Sequence, residues 1–259
     1  MRARYLLSEC GTVASSYMDD LRTRPARPLT VAVAQPVCAD LDVAANVAAH
    51  AEVVRTAGAR LVVFPELSLT GYDLTAPSVA VDDARLAPLV DACARTGSTA
   101  LVGAPVRAED GREHIAVLAV TGAGVRLVYR KMWLHGAEGD RFAPGEKPEV
   151  LLLDGWRLGL AVCRDAGVPQ HAADTAALGI DAYVAGTLYG AGREAQADRD
   201  GHMRARAADH GVWAVLSTTA GPSGEYRETS GGSGIWTPDG EVLVQAGPDA
   251  GEVVTATIG

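Results

Sequence analysis

Three residues of this chain carry side chains that together make a complete set for covalent chemistry: a carboxylate at Glu66, an ammonium at Lys131 and a thiol at Cys163. Each closes a short apolar run of strand character, Arg60-Leu-Val-Val-Phe-Pro-Glu66, Val125-Arg-Leu-Val-Tyr-Arg-Lys131 and Arg157-Leu-Gly-Leu-Ala-Val-Cys163. In α/β proteins sites collect where strands stop, because the loops there are free of the ladder yet held by it. A thiol of ordinary pKa, ~8.5, is mostly protonated at neutral pH and needs a base or a cationic neighbour before it attacks. A glutamate can take that proton, and a lysine can stabilise both a thiolate and a tetrahedral oxyanion.

Taken singly, each residue also has a purely structural reading. A lone cysteine at the end of an apolar strand is commonly buried filler, Glu66 is equally an ordinary polar strand end, and Lys131 is equally a surface residue. Lys131 is, however, one of two lysines among 23 basic residues. In a chain that otherwise uses arginine, a retained ammonium points to chemistry that a guanidinium does not reproduce.

The elements that must position these residues begin near Leu29. Leu29–Gln35 and 60–64 read as buried strands, with a helix over 40–58 between them behind an aspartate cap. A helix over 83–95, a strand over 99–105 and a hairpin of 114–120 with 125–129 follow, then a second hairpin of 150–154 with 157–162 around Gly155. Beyond Cys163 the pattern predicts a helix over 170–179, a strand over 182–186, a long helix over Arg193–His210 and strands over Trp213–Thr218, 234–237, Val242–Gln245 and 253–258. Asp198 to Arg206 mixes both signs of charge and reads as a solvated helix face. No internal repeat, linker or composition break follows residue 29. One α/β domain over 29–259 with mixed sheets covered by helices is expected, behind a disordered extension over 1–28 that has no signal-peptide pattern.

With 32 acidic against 23 basic residues the net charge is −9, which argues against nucleic-acid or anionic-membrane binding. Four scattered cysteines without a CxxC pair suit a reducing, cytoplasmic setting, and no run reaches the ~18 apolar residues of a membrane span. There is no GxSxG elbow, no S-x-x-K motif and no phosphate loop, since Gly122 and Gly124 sit in a hairpin turn. The six histidines show no zinc-ligand spacing, and no metal is expected.

Four stretches, in order, resemble the nitrilase superfamily of carbon–nitrogen hydrolases: Val62-Val-Phe-Pro-Glu-Leu-Ser-Leu-Thr-Gly-Tyr72; Tyr129-Arg-Lys-Met-Trp-Leu134 with Gly136-Ala-Glu138 and Phe142-Ala-Pro-Gly145; Gly159-Leu-Ala-Val-Cys-Arg-Asp165; and Ser233-Gly-Ile-Trp-Thr-Pro-Asp-Gly240. The resemblance covers nearly all of 29–258. It implies a four-layer α-β-β-α sandwich with no cofactor, Glu66 as general base, Lys131 as oxyanion stabiliser and Cys163 as nucleophile. The backbone N–H of Arg164 is then the second oxyanion donor, and Glu138 supports the lysine and the substrate nitrogen.

The implied reaction is hydrolysis of a small amide through a thioester, with nitriles and N-carbamoyl compounds as alternatives. A catalytically silent binding or scaffold member is the reading from another class, and retention of all three reactive residues argues against it. Tyr72, Trp133 and Tyr189 fall where substrate-pocket residues could lie, or are packing. The Arg164 side chain either meets a substrate carboxylate or faces outward into an ion pair, and Asp165 anchors the elbow by accepting backbone N–H bonds.

The chain departs from the family's usual pattern at Asp209, His210 and Thr218, which puts substrate shape and subunit packing in doubt more than catalysis. Many members continue with a basic tail that reaches the neighbouring subunit, so the short end after Ile258 weakens the expectation of a homodimer or higher homo-oligomer.

Overall fold

A computed structural model describes residues 27–259. Among the described residues, twelve strands form two six-stranded mixed sheets. The first contains β1 (Leu29–Gln35), β2 (Leu61–Val63), β3 (Thr99–Arg107), β4 (Glu113–Thr121), β5 (Gly124–Arg130) and, closing it, β12 (Glu252–Ile258), in the order β12-β1-β2-β3-β4-β5. The second contains β6 (Val150–Leu153), β7 (Trp156–Val162), β8 (Ala182–Thr187), β9 (Trp213–Thr218), β10 (Gly234–Trp236) and β11 (Val242–Gln245), in the order β11-β10-β9-β8-β7-β6.

Helices α1 (Val43–Thr56) and α2 (Ala87–Thr96) cover the first sheet. Helices α3 (Arg164–Gly167), α4 (Pro169–Ala176) and α5 (Arg193–His210) cover the second. The result is a four-layer α-β-β-α sandwich.

The strand sequences explain the layering. Alternate residues of a strand face opposite sides, and the inner strands are covered on both, so they are apolar along most of their length. In β1, Val31 and Val33 join Leu158, Leu160 and Val162 of β7 in the core between the sheets. Ala32 and Ala34 turn the other way, against Val47 and Val54 of α1. The larger side chains fill the space between sheets, and alanines let the helices lie close.

The two sheets repeat one plan. Reading from β12 and from β6, the successive pairings are antiparallel, parallel, parallel, antiparallel, antiparallel in both. The repeat is of topology and leaves no trace as similar stretches of sequence.

Most elements fall within a few residues of their expected bounds. The cap of α1 is Asp42, whose side chain accepts the Ala45 N–H at 3.0 Å. Asp40 instead accepts the Gly224 N–H. The mixed-charge stretch of α5 is not a solvated face throughout. Arg199 and Arg206 are buried, and they donate to the carbonyls of Gly231 and Ala166 respectively. The divergent Thr218 is buried beside Ser233 of the matching late stretch, and its N–H donates to Ser233 Oγ. The expected N-terminal extension lies, up to residue 26, outside the described residues. Trp156 Nε1 donates to the carbonyl of Arg27, which ties the start of the described chain to β7. Among the described residues no helix is long and apolar enough to cross a membrane.

Two glycines make room for the turn after β2. An ideal Cβ on Gly103 would lie 2.3 Å from Leu67 N and 2.7 Å from Pro65 O, and one on Gly186 would lie 2.8 Å from Phe64 O. These neighbours are backbone atoms and cannot swing aside. Gly103→Ala is therefore expected to destabilise the fold by about 1–3 kcal/mol through overpacking. Gly201, inside α5 with nothing within 4 Å of its would-be Cβ, should gain about 0.5–1 kcal/mol on mutation to alanine. Urea unfolding of the two variants side by side reads both signs.

Candidate active site

Glu66, Lys131 and Cys163 meet at one end of the sandwich, each delivered just past a strand. After β2 the chain turns sharply. Phe64 N–H still pairs with the Leu101 carbonyl of β3, Leu67 adopts a φ of 49°, and Leu69 N–H returns to the carbonyl of Gly103. The strand stops earlier than expected, at Val63, so Glu66 rides on this turn rather than ending the strand. Lys131 follows β5, its N–H donating to the Ile115 carbonyl.

Cys163 follows β7 at φ 47° and ψ −104°, with its N–H on the Gly186 carbonyl of β8. A non-glycine residue held there stores about 1–3 kcal/mol of strain and persists because its surroundings determine it. This strained elbow turns directly into α3, a four-residue helix the sequence pattern does not predict.

Lys131 is completely buried between two carboxylates. Its Nζ donates to Glu66 Oε1 at 2.7 Å and to Glu138 Oε1 at 2.6 Å. Glu138 comes from a one-turn 3₁₀ segment, Gly136–Asp140, also absent from the sequence expectation. The two carboxylates are not equivalent. Glu138 Oε1 also accepts the Tyr72 hydroxyl, and Oε2 accepts the His135 N–H at 2.8 Å. Glu66 Oε2 is buried with no protein partner.

Burial raises Glu66 to about 7. Lys131 opposes the rise, and the Glu138 charge adds to it. Burial alone would lower Lys131, but the charges of Glu66 and Glu138 outweigh it and hold the ammonium above its ordinary value. Burial, joined by the Glu66 charge, pushes Cys163 well above the usual thiol range despite Lys131. The resting cysteine is a thiol, its Sγ 3.4 Å from the Leu188 carbonyl oxygen.

Of the other expected residues, Tyr72 joins the cluster through Glu138. Trp133 and Tyr189 do not join the hydrogen-bonded group. The half-buried Trp133 ring packs edge-to-face on His171, with centroids 5.5 Å apart, and the Tyr189 hydroxyl bonds His202 Nδ1 at 3.0 Å. The Arg164 side chain is exposed.

Asp165 does anchor the elbow. Oδ1 accepts from Met132 N–H at 3.2 Å and Trp133 N–H at 2.8 Å, and Oδ2 accepts from Val162 N–H at 3.0 Å and the Tyr129 hydroxyl at 2.7 Å. Its bonds therefore reach the residues just after Lys131 and just before Cys163.

Sequence reasoning missed Tyr226, whose ring packs edge-to-face on Tyr72 at 5.6 Å. It lies in the turn where Ser223 Oγ accepts the Tyr72 N–H, and nothing in its own sequence neighbourhood marks it. A cleft of about 710 Å³ opens elsewhere, between edge strands β5 and β6, and none of Glu66, Lys131, Glu138 or Cys163 lines it. Among the described residues no group of three or more His, Cys, Asp and Glu is placed to hold a metal ion.

Comparison with known proteins gives the same direction. A model of the carbon–nitrogen hydrolase family matches residues 30–259. The hydrolase in the pqqF 5′ region of Pseudomonas protegens is 30% identical, over 96% of this chain and 88% of that protein. An (R)-stereoselective amidase of a Pseudomonas species is 29% identical over 73% of this chain and 69% of its own. Among solved structures, a variant of the amidase from Nesterenkonia sp. AN1, showing Michael addition of acrylamide at its active-site cysteine, superposes with a TM-score of 0.79. It is 25% identical, with 89% of this chain and 93% of that one covered.

Replacing the anchor tests how far the elbow depends on it. Asp165→Asn keeps the volume but turns one acceptor into a donor facing N–H and O–H groups. With buried donors left unpaired, the loss should be about 3 kcal/mol, read as a lower urea midpoint with an unchanged m-value.

Proposed function

The chain belongs to the carbon–nitrogen hydrolase family, and from that premise we propose that it is an amidase cleaving small linear amides through a thioester on Cys163. The observation that carries this reading is the asymmetry of the two carboxylates around Lys131. Glu138 has every side held by a donor and serves as a fixed anion. Glu66 keeps Oε2 unpartnered beside a protonated thiol, which is what a general base needs.

Because burial keeps Cys163 protonated, the thiol loses its proton as it attacks. Sγ bonds to the amide carbonyl carbon while the proton passes to Glu66 Oε2, and the carbonyl π pair moves to oxygen. An ammonium has three donors, and two on Lys131 are committed to Glu66 and Glu138. The third is the donor for the oxyanion, with the backbone N–H of Arg164 as its partner. Glu66 then returns the proton to nitrogen, the C–N bond breaks, and ammonia or an amine leaves. Water attacks the thioester with Glu66 again taking a proton. The second tetrahedral intermediate collapses to the acid, and Cys163 regains its proton.

The Pseudomonas and Nesterenkonia relatives named as amidases support an amide rather than a nitrile or N-carbamoyl substrate. The acrylamide adduct in the latter supports a nucleophilic cysteine on this fold. The substrate reading is a small molecule with no added cofactor. The free thiols of Cys38, Cys93 and Cys163 suit the reducing cytoplasm.

Four outcomes test the proposal. Incubation with a panel of amides, nitriles and N-carbamoyl compounds should leave on Cys163 the mass of the acyl group of an amide. Ammonia release from that amide should fall to background in Cys163→Ala, and ammonia still released by this variant would exclude the mechanism.

The kcat/KM profile should rise with pH to a plateau, with its midpoint near 7 where Glu66 ionises. A rate still on its plateau a unit below pH 6 would exclude Glu66 as the base. Lys131→Arg should lose at least 100-fold in kcat, about the loss seen for one oxyanion donor, because a planar fork does not place one N–H where the compact ammonium does.

A further inference from the structure

Beneath the site lies a buried chain of side chains that the reaction above does not use. Tyr183 of β8, His171 of α4, Tyr129 of β5 and Asp165 at the elbow are all 1% exposed or less. Tyr129 O–H donates to Asp165 Oδ2 at 2.7 Å. His171 Nε2 lies 2.9 Å from the same Tyr129 oxygen, and His171 Nδ1 lies 2.8 Å from the Tyr183 hydroxyl.

The directions of these bonds follow from the inventory of donors. Tyr129 has one hydroxyl proton, and it is committed to the carboxylate. Its oxygen must therefore accept from His171, which puts a proton on Nε2. In a neutral imidazole that leaves Nδ1 as an acceptor, so Tyr183 donates. Every donor then points the same way, from Tyr183 through His171 and Tyr129 to Asp165.

We propose that His171 is a positioning residue for catalysis: as the neutral Nε2–H tautomer it completes a one-way relay of hydrogen bonds that fixes Asp165, and through Asp165 the spacing of Lys131 and Cys163. The proposal rests on the hydrolase reading above for its effect on rate, and on geometry alone for the tautomer.

The mechanical link is short. Asp165 holds the N–H groups of Met132 and Trp133, the two residues after Lys131, and that of Val162, the residue before Cys163. Bonds in a chain polarise one another, so the donor at His171 strengthens the Tyr129–Asp165 bond, and the partner on one ring nitrogen sets the proton on the other. The surroundings keep the ring neutral. Burial lowers His171 to about 4, Asp174 raises it and Arg206 lowers it again. The Trp133 ring closes one side edge-on. Thr175 of α4 donates its hydroxyl to the His171 carbonyl, which holds the backbone in place.

The experiment compares wild type with His171→Leu and His171→Gln in the full chain. Leucine removes both ring nitrogens, whereas glutamine keeps an N–H at the ε position for Tyr129. In His171→Leu, kcat should fall about tenfold with KM within about twofold of wild type, the size expected when catalytic groups lose their spacing while substrate contacts survive. His171→Gln should recover most of the loss.

The rate of Cys163 alkylation by iodoacetamide should follow the same order. This readout needs no substrate, so it separates failure of this proposal from failure of the amidase reading. In wild-type protein, ¹⁵N spectra of the imidazoles, assigned by difference from His171→Gln, should show His171 protonated at Nε2 only, and this holds even where the leucine variant fails to fold. A proton on Nδ1, or a folded leucine variant with wild-type kcat and alkylation rate, overturns the proposal. So does equal loss in the leucine and glutamine variants.

Discussion

The arrangement depends on one buried charge. Lys131 has no exposed surface and sits between two carboxylates, each within hydrogen-bond distance of Nζ. Removing charges from water costs several kcal/mol per ion even after relaxation, and the mutual attraction repays this only with good geometry and satisfied partners. The ammonium therefore cannot be placed approximately. It demands that the turn after β2, the end of β5 and the 3₁₀ segment at 136–140 arrive together. Once they do, the sum of one cation and two anions leaves the pocket with an excess negative charge. That excess acts on the cysteine, whose thiol is held above its usual range in part by Glu66.

The sandwich meets that demand with backbone rather than side-chain adjustments. Gly103 and Gly186 leave space on β3 and β8 for the Glu66 turn. The Cys163 elbow takes a conformation that costs energy, and the Gly186 carbonyl and the Asp165 carboxylate hold it from both sides. Because Asp165 also binds the two residues after Lys131, the cysteine loop and the lysine loop share an anchor. Strain at Cys163 is tolerated because the same few groups determine both loops.

How much of this was legible in sequence follows from the range over which each feature is determined. The strands were legible because burial on both faces produces continuous apolar runs, as in Leu29–Gln35 and Trp156–Val162. Glu66, Lys131 and Cys163 stood out by chemical type at strand ends, and the motif around Lys131 carried Glu138 with it. The short helix at Arg164–Gly167 and the turn at Gly136–Asp140 were not legible, since single turns have no periodicity to read. Arg199 and Arg206 looked like solvent-facing charges because their partners are carbonyls at Gly231 and Ala166, which no pattern of side chains reveals. The same holds for His171. Its partners Tyr129 and Tyr183 lie 42 and 12 residues away, and only the fold brings them to one ring.

The two raised carboxylates show how identical burial leads to opposite roles. Burial is the first cause for both Glu66, at about 7, and Asp165, at about 6. Asp165 spends both oxygens on four donors, three of them backbone N–H groups that cannot turn away. Any proton it took would have to displace one of these bonds, so its ionised form is part of the architecture. Glu66 spends one oxygen on Lys131 and keeps the other without a partner. In the proposed reaction a proton arrives there from the thiol and leaves again without disturbing any bond that holds the turn. What separates the anchor from the proposed base is therefore the number of donors the fold supplies to each oxygen rather than the depth of burial.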